Sequence, residues 1–208
     1  MTDFYFIRHG QTTANIQGLK QGTMNTEITE LNETGLAQAA NLRDHFDISF
    51  ADQLVASPLN RTRQTAAILN EKAQLPVSYD ERLLEISYGD WDGQKNRDLE
   101  KQYPDVFDHH LHDVLPSYVA LAHGESFDTV VARVKAFMTD LASQNPDQSI
   151  IVVTHGFTVK AAAMVAVQPG NVMALPEPGN TSVTKISFDG DSGQAYLWGI
   201  IRGINRFI

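Results

Sequence analysis

The chain has 208 residues, 42% hydrophobic and 20% charged, a globular composition long enough to bury a substantial core in one domain spanning 1–208. A net charge of -9 and a pI near 5.1 leave no basic footprint, so nucleic-acid backbones and anionic membranes are excluded as partners. With no cysteine, disulfides, thiolate metal sites and cysteine nucleophiles are excluded as well.

Met1 to Phe4 carry no positive n-region, and no run reaches the roughly 18 apolar residues that span a bilayer; a soluble cytoplasmic protein is expected. Phe4 to Ile7 reads as a first buried strand, Gln53 to Ala56 as a second and Ile150 to Val153 as a third, each an apolar run ended by polar residues. Ser57 and Pro58 read as N-cap and first position of a helix through about Asn70, which puts Arg61 in its first turn. The stretch from Asp80 to Asp113 holds ten acidic and four basic residues with weak apolar periodicity. It marks an acidic excursion, at about 92–122, from the core. Phe127, Val130, Val134, Phe137 and Leu141 recur at helical spacing and predict a helix from Ser126 to about Ser143. Val183 to Phe188 and Ala195 to Ile200 flank Asp189-Gly190-Asp191-Ser192-Gly193 and predict an antiparallel hairpin, the only antiparallel part. The alternation of strands and helices predicts an α/β fold: a three-layer sandwich with a mostly parallel sheet, helices on both faces and this C-terminal hairpin.

In an open parallel sheet ligands bind beyond the carboxyl ends of the strands. Two predicted strands run into Arg8-His9-Gly10 and Thr154-His155-Gly156, and a third into Ser57-Pro58-Leu59-Asn60-Arg61. Two histidines and two arginines at one edge make a cationic pocket in an acidic protein. Arginine forks match phosphate oxygens, and a neutral imidazole nitrogen can attack phosphorus. For His9 to attack, its other ring nitrogen should donate to a carbonyl that fixes the tautomer.

On these motifs the sequence resembles the histidine phosphatase superfamily, its phosphoglycerate mutase-like branch, over almost the whole chain. Arg8-His9-Gly10-Gln11-Thr12-Thr13-Ala14-Asn15 is similar to the first motif of that family, and Ser57 to Ala66 to the second. Leu84 to Gly93 is similar to its acid motif; Gly124-Glu125-Ser126, Val153-Thr154-His155-Gly156 and Asn180-Thr181-Ser182-Val183 complete the pattern. The resemblance implies a metal-independent phosphatase without cofactor, acting on a small phosphorylated molecule through a phosphohistidine at His9. It implies Arg8, Arg61 and Asn15 as phosphate ligands, His155 as the second histidine, which if protonated would donate to the phosphate oxygens, and Glu85 as proton donor to the leaving group. Gln21 and Gly22 are implied as a substrate loop, and the backbone near Thr181 as a further phosphate contact. Two departures stand out. After Gly22 the family's Asp-x-Pro-Leu-Thr-x-x-Gly is reduced to Leu31-Asn32-Glu33-Thr34-Gly35, and the excursion lacks the paired arginines with which mutases hold a phosphoglycerate carboxylate.

Three other readings stand beside the hydrolase: a cofactor-dependent phosphoglycerate mutase, a phospho-ligand-binding protein without turnover, and a metal-dependent phosphohydrolase built on Asp108-His109-His110-Leu111-His112-Asp113. That last cluster sits in a hydrophilic segment away from the strand ends, which favours a solvated surface and no metal. The sequence leaves a homo-oligomer open and does not encode which phosphorylated metabolite is used.

Overall fold

The computed structural model describes residues 1–201. In chain order it contains β1 (Thr2–Arg8), α1 (Thr13–Ile16), α2 (Glu33–His45), β2 (Gln53–Ala56), α3 (Asn60–Leu69) and β3 (Val77–Tyr79). The excursion follows with α4 (Asn96–Gln102), β4 (Phe107–Asp108), β5 (Asp113–Val114) and α5 (Val119–Ala122). The chain then returns through α6 (Phe127–Gln144), β6 (Ser149–Thr154), α7 (Gly156–Val167), β7 (Val183–Phe188) and β8 (Ala195–Ile201).

The main sheet has the order β3-β2-β6-β1-β7-β8. The pairs β3/β2, β2/β6 and β6/β1 are parallel, while β1/β7 and β7/β8 are antiparallel. Successive side chains of a strand point to opposite faces, and both faces here are covered. Phe4, Phe6, Ile150 and Val152 join one core with α6 and α7, while Ile7, Ile151 and Val153 join the other with Leu42 of α2 and Ala66 and Leu69 of α3. This two-sided burial is why β1 and β6 read as continuous apolar runs. Helix α7 lies against the sheet and under α6, and its residues from Gly156 to Val165 are all buried.

The register aligns the strand ends. Arg8 pairs with Thr154, Ile7 with Val153, and Ala56 also with Val153, so His9, Ser57 and His155 leave the sheet side by side.

Two expectations are corrected. Helix α3 begins at Asn60 with Leu59 at its N-cap, not at Pro58, because Ser57 is drawn into the site described below; Arg61 still falls in its first turn. The C-terminal hairpin is not the only antiparallel part: β1 pairs antiparallel with β7, and β4 and β5 form a two-stranded hairpin inside the excursion. That excursion is anchored by apolar side chains despite its acidity. Trp91 stacks on Tyr103 at 5.2 Å and Phe107 at 6.1 Å, and Trp91, Leu99, Phe107, Val114 and Tyr118 belong to the same core as α6 and α7. Among the described residues, no helix is long and apolar enough to cross a membrane.

Candidate active site

A cavity of about 360 Å³ opens at the carboxyl edge of the sheet. His9 lies at its floor, 2% exposed. Its Nδ1–H donates to the carbonyl of Gly10 at 2.7 Å, which fixes the tautomer and leaves Nε2 with a lone pair. The residue is held from two more sides, its backbone N–H donating to Thr154 O at 2.9 Å and its carbonyl accepting from Asn180 Nδ2 at 2.8 Å. Burial, with Arg61 and Arg8 nearby, keeps the imidazole well below its ordinary pKa, so the ring is neutral and its Nε2 lone pair can act as a nucleophile.

Arg61 is 1% exposed. Its Nη1 donates to Met24 O and its Nη2 to Gly22 O, both at 2.8 Å, and its Nε to His155 Nδ1 at 3.1 Å. Each Nη keeps a second N–H for a ligand. Burial pulls this guanidinium down to about 10, still charged at neutral pH. Arg8 is tied by one Nη1–H to Pro178 O at 2.6 Å, and among the described residues its buried Nε–H has no acceptor.

His155 stands behind Arg61. It is fully buried and does not line the cavity. Its ring stands 5.3 Å from that of His9 at 66°. Because Nδ1 accepts from Arg61, the proton of the neutral ring is on Nε2, which donates to Ser57 Oγ at 2.7 Å. Burial and the charges of Arg61 and Arg8 hold it well below the usual histidine range. In this state the His155 ring is neutral and supports Arg61, so the condition for a cationic donor is not met without a ligand.

Glu85 lines the cavity at the start of α7. Its carboxylate accepts from Ile86 N at 3.0 Å and from Phe157 N, Thr158 N and Thr158 Oγ1 at 3.3 Å, a use of free N–H groups at a helix N-terminus. Asn15 and Gln21 both line the cavity, and their side-chain oxygens both lie 3.1 Å from Thr12 Oγ1, whose single O–H can donate to either. Gly22 has φ +48, and a Cβ there would lie 1.9 Å from Asp92 Oδ1, so only glycine fits where its carbonyl meets Arg61. Thr181 does not line the cavity, and its N–H donates to Arg8 O at 2.9 Å. In the same motif Asn180 Nδ2 holds the His9 carbonyl.

Sequence reasoning missed Lys20, Lys160, Asp113 and Glu177, all of which line the cavity. Lys20 Nζ pairs with Asp113 and sits 4.4 Å above the Tyr88 ring. Burial raises the Asp113 carboxyl, but the charge and hydrogen bond of Lys20, with the Val114 N–H and the Lys160 charge, together outweigh it and leave the group below its ordinary pKa. Glu177 Oε2 lies 3.7 Å from Arg8 Nη1; burial and Asp113 push its carboxyl up to about 7. A signal for Lys160 did exist, since it is the one charged residue in the apolar run from Phe157 to Val167. The Asp108-to-Asp113 cluster is spent on local structure, Asp108 capping the N–H groups of His110 and Leu111 and His112 pairing with Glu100. Among the described residues no group of three or more His, Cys, Asp or Glu is placed to hold a metal ion.

The model of the histidine phosphatase superfamily (branch 1) matches residues 4–201. Phosphoserine phosphatase 1 of Hydrogenobacter thermophilus is 30% identical over 161 residues, covering 77% of this chain and 74% of that protein. The adenosylcobalamin/alpha-ribazole phosphatase of Escherichia coli is 32% identical over 151 residues, 73% of this chain and 72% of that one. The solved structure of mycobacterial glucosyl-3-phosphoglycerate phosphatase superposes with a TM-score of 0.79 at 28% identity, covering 97% and 98% of the two chains.

Proposed function

The chain belongs to the histidine phosphatase superfamily, branch 1, and is a phosphomonoester hydrolase; on that premise we propose that it works on small-molecule substrates, without a metal, through a covalent phosphohistidine at His9. The observation that carries the mechanism is the His9–Gly10 hydrogen bond at 2.7 Å, which commits Nδ1 as donor and leaves Nε2 free in the cavity.

The substrate phosphate lies between the remaining N–H groups of Arg8 and Arg61, with Asn15 beside it. These neutralise the charge on the transferring group, where most catalysis of phosphoryl transfer resides. His9 Nε2 forms a bond to phosphorus as the ester P–O bond breaks, and Glu85 gives its proton to the departing oxygen. Water then attacks the phosphohistidine, Glu85 takes the water's proton, and inorganic phosphate leaves with His9 restored. His155 holds Arg61 in place, and Gln21 and Gly22 shape the entrance.

Rapid quenching during turnover of a labelled monoester should give an acid-labile, base-stable phosphoryl group that maps to His9. Label on another residue, or full turnover by His9→Ala, would remove the phosphohistidine from the mechanism.

A further inference from the structure

The cavity contains a cation that neither the fold nor the proposed reaction uses. Lys160 is 2% exposed and lines the cavity. Among the described residues its Nζ has no hydrogen-bond acceptor and no carboxylate oxygen within 4.0 Å; its contacts are the rings of Phe127 and Phe157, each 5.5 Å from Nζ. The other cavity cations are engaged: Lys20 by Asp113, Arg8 by Pro178 O and Glu177, Arg61 by two loop carbonyls and His155. A buried ammonium without an acceptor is costly, and here the open side is the cavity.

We infer that Lys160 is a second anion-binding subsite, and that the cavity takes a phosphomonoester that also carries a free carboxylate. The inference rests on the phosphatase reading above and specifies its substrate class. Helix α7 meets Arg8 at its first residue, since a Cβ on Gly156 would lie 3.0 Å from Arg8 Cζ. Lys160 is four residues on, about 6 Å along the axis, and helical side chains lean back toward the N-terminus. Its ammonium therefore serves a group about one helical turn from the phosphate arginine, a spacing suited to a short phosphorylated acid. A single ammonium beside Asp113 and Glu177 matches a monoanion; a second phosphate dianion there would be repelled by the two acids. Burial lowers the affinity of Lys160 for its proton, and a bound carboxylate would offset that loss.

The test compares substrates that differ only at the carboxylate: O-phosphoserine against O-phosphoethanolamine, and 3-phosphoglycerate against glycerol 3-phosphate. The wild type should favour the acid of at least one pair by about tenfold or more in kcat/KM, the size of one charge-assisted hydrogen bond. Lys160→Met should reduce that ratio to within about twofold, mainly through KM, and Lys160→Arg should restore part of it. No wild-type preference in either pair, or a preference that survives Lys160→Met, overturns the inference. If Lys160→Met does not fold, the wild-type ratios decide alone. p-Nitrophenyl phosphate separates the two levels: its hydrolysis without any acid preference defeats only the Lys160 subsite, whereas no hydrolysis of any monoester defeats the phosphatase reading too.

Discussion

Arg61 Nε donates to His155 Nδ1 at 3.1 Å, which makes the second histidine an orienting acceptor for the buried guanidinium. Arg61 thereby joins three segments: the turn after β6 through His155, the first turn of α3 on which it sits, and the Gly22-to-Met24 loop.

Arg61→Lys should therefore fail despite keeping the charge, because one ammonium cannot reproduce a fork that reaches two carbonyls and an imidazole. Turnover should fall by about a hundredfold, as when a transition-state donor is lost. Denaturant unfolding should show a stability loss of about 2 kcal/mol or more, from charge-assisted hydrogen bonds left unmade. Near-normal turnover in Arg61→Lys would take the guanidinium geometry out of the mechanism.

The buried histidines also set how stability depends on acid. His9 and His155 are held well below 6.5, in both cases first by burial and then by Arg61. Below about pH 6.5 the unfolded chain takes up these protons and the native protein does not, so stability falls as pH drops, on the order of 1.4 kcal/mol per pH unit for each histidine. Glu177 acts with the opposite sign. Its carboxyl is raised from 4.5 to about 7, so between those values the native state holds the proton more tightly and gains stability as pH falls. Urea unfolding at pH 7.5 and pH 5.5 should thus show a steeper acid loss for Glu177→Gln than for the wild type. An equal or shallower loss would mean that Glu177 is not proton-bearing in the native cavity.

The parts of this protein legible from sequence are those fixed by local chemistry. Strands β1, β2 and β6 are fully buried runs with polar ends, and the turns that follow them carry Arg8, His9, Arg61 and His155 to one edge. The tautomer of His9 follows from the demand for a nucleophilic nitrogen and needs only the adjacent carbonyl of Gly10. What sequence did not disclose depends on contacts between distant segments. The proton on His155 is decided by Arg61, 94 positions away, and the N–H of Thr181 is consumed by the carbonyl of Arg8. The excursion is held by Trp91, Leu99, Phe107 and Tyr118, whose spacing follows no helical or strand period; a cover over the site is what excursions from such scaffolds often form, but which of its residues border the cavity depends on that packing.

Glu85 can be tested through the leaving group. A proton donor matters when a poor alkoxide departs and little when the leaving group is already a stable anion. Glu85→Gln keeps the shape of the side chain and replaces one carboxylate oxygen by an amide. The variant should lose at least about a hundredfold on an alkyl phosphate and much less on p-nitrophenyl phosphate, within the range of general acid catalysis. Equal losses on both substrates would show that Glu85 only anchors the start of α7, where it accepts from Phe157 N and Thr158 N.

The last prediction concerns which molecule accepts the phosphoryl group from His9. A mutase must protect its phosphoenzyme from water and retain a bisphosphate through two half-reactions, which requires a closed and strongly cationic cavity. The excursion, which borders this cavity through Asn96, Leu111, His112 and Asp113, does not provide it: Lys95 and Arg97 line an adjoining outer pocket with Glu100, and Asp113 is turned inward. Lys20 and Lys160 do add positive charge to the cavity. Yet Lys20 is paired with Asp113, Arg8 faces Glu177 at 3.7 Å, and Lys160 offers one charge where a second phosphate would bring two. A phosphorylated acid can be held on those terms, while a bisphosphoglycerate would meet Asp113 and Glu177 at its second phosphate. Supplied with 3-phosphoglycerate and a catalytic amount of 2,3-bisphosphoglycerate, the enzyme should release inorganic phosphate faster than it forms 2-phosphoglycerate. Both products can be followed in one reaction by phosphorus NMR. Isomerisation outrunning phosphate release from every monoester tried would make a sugar-acid hydroxyl the acceptor and overturn the assignment to water.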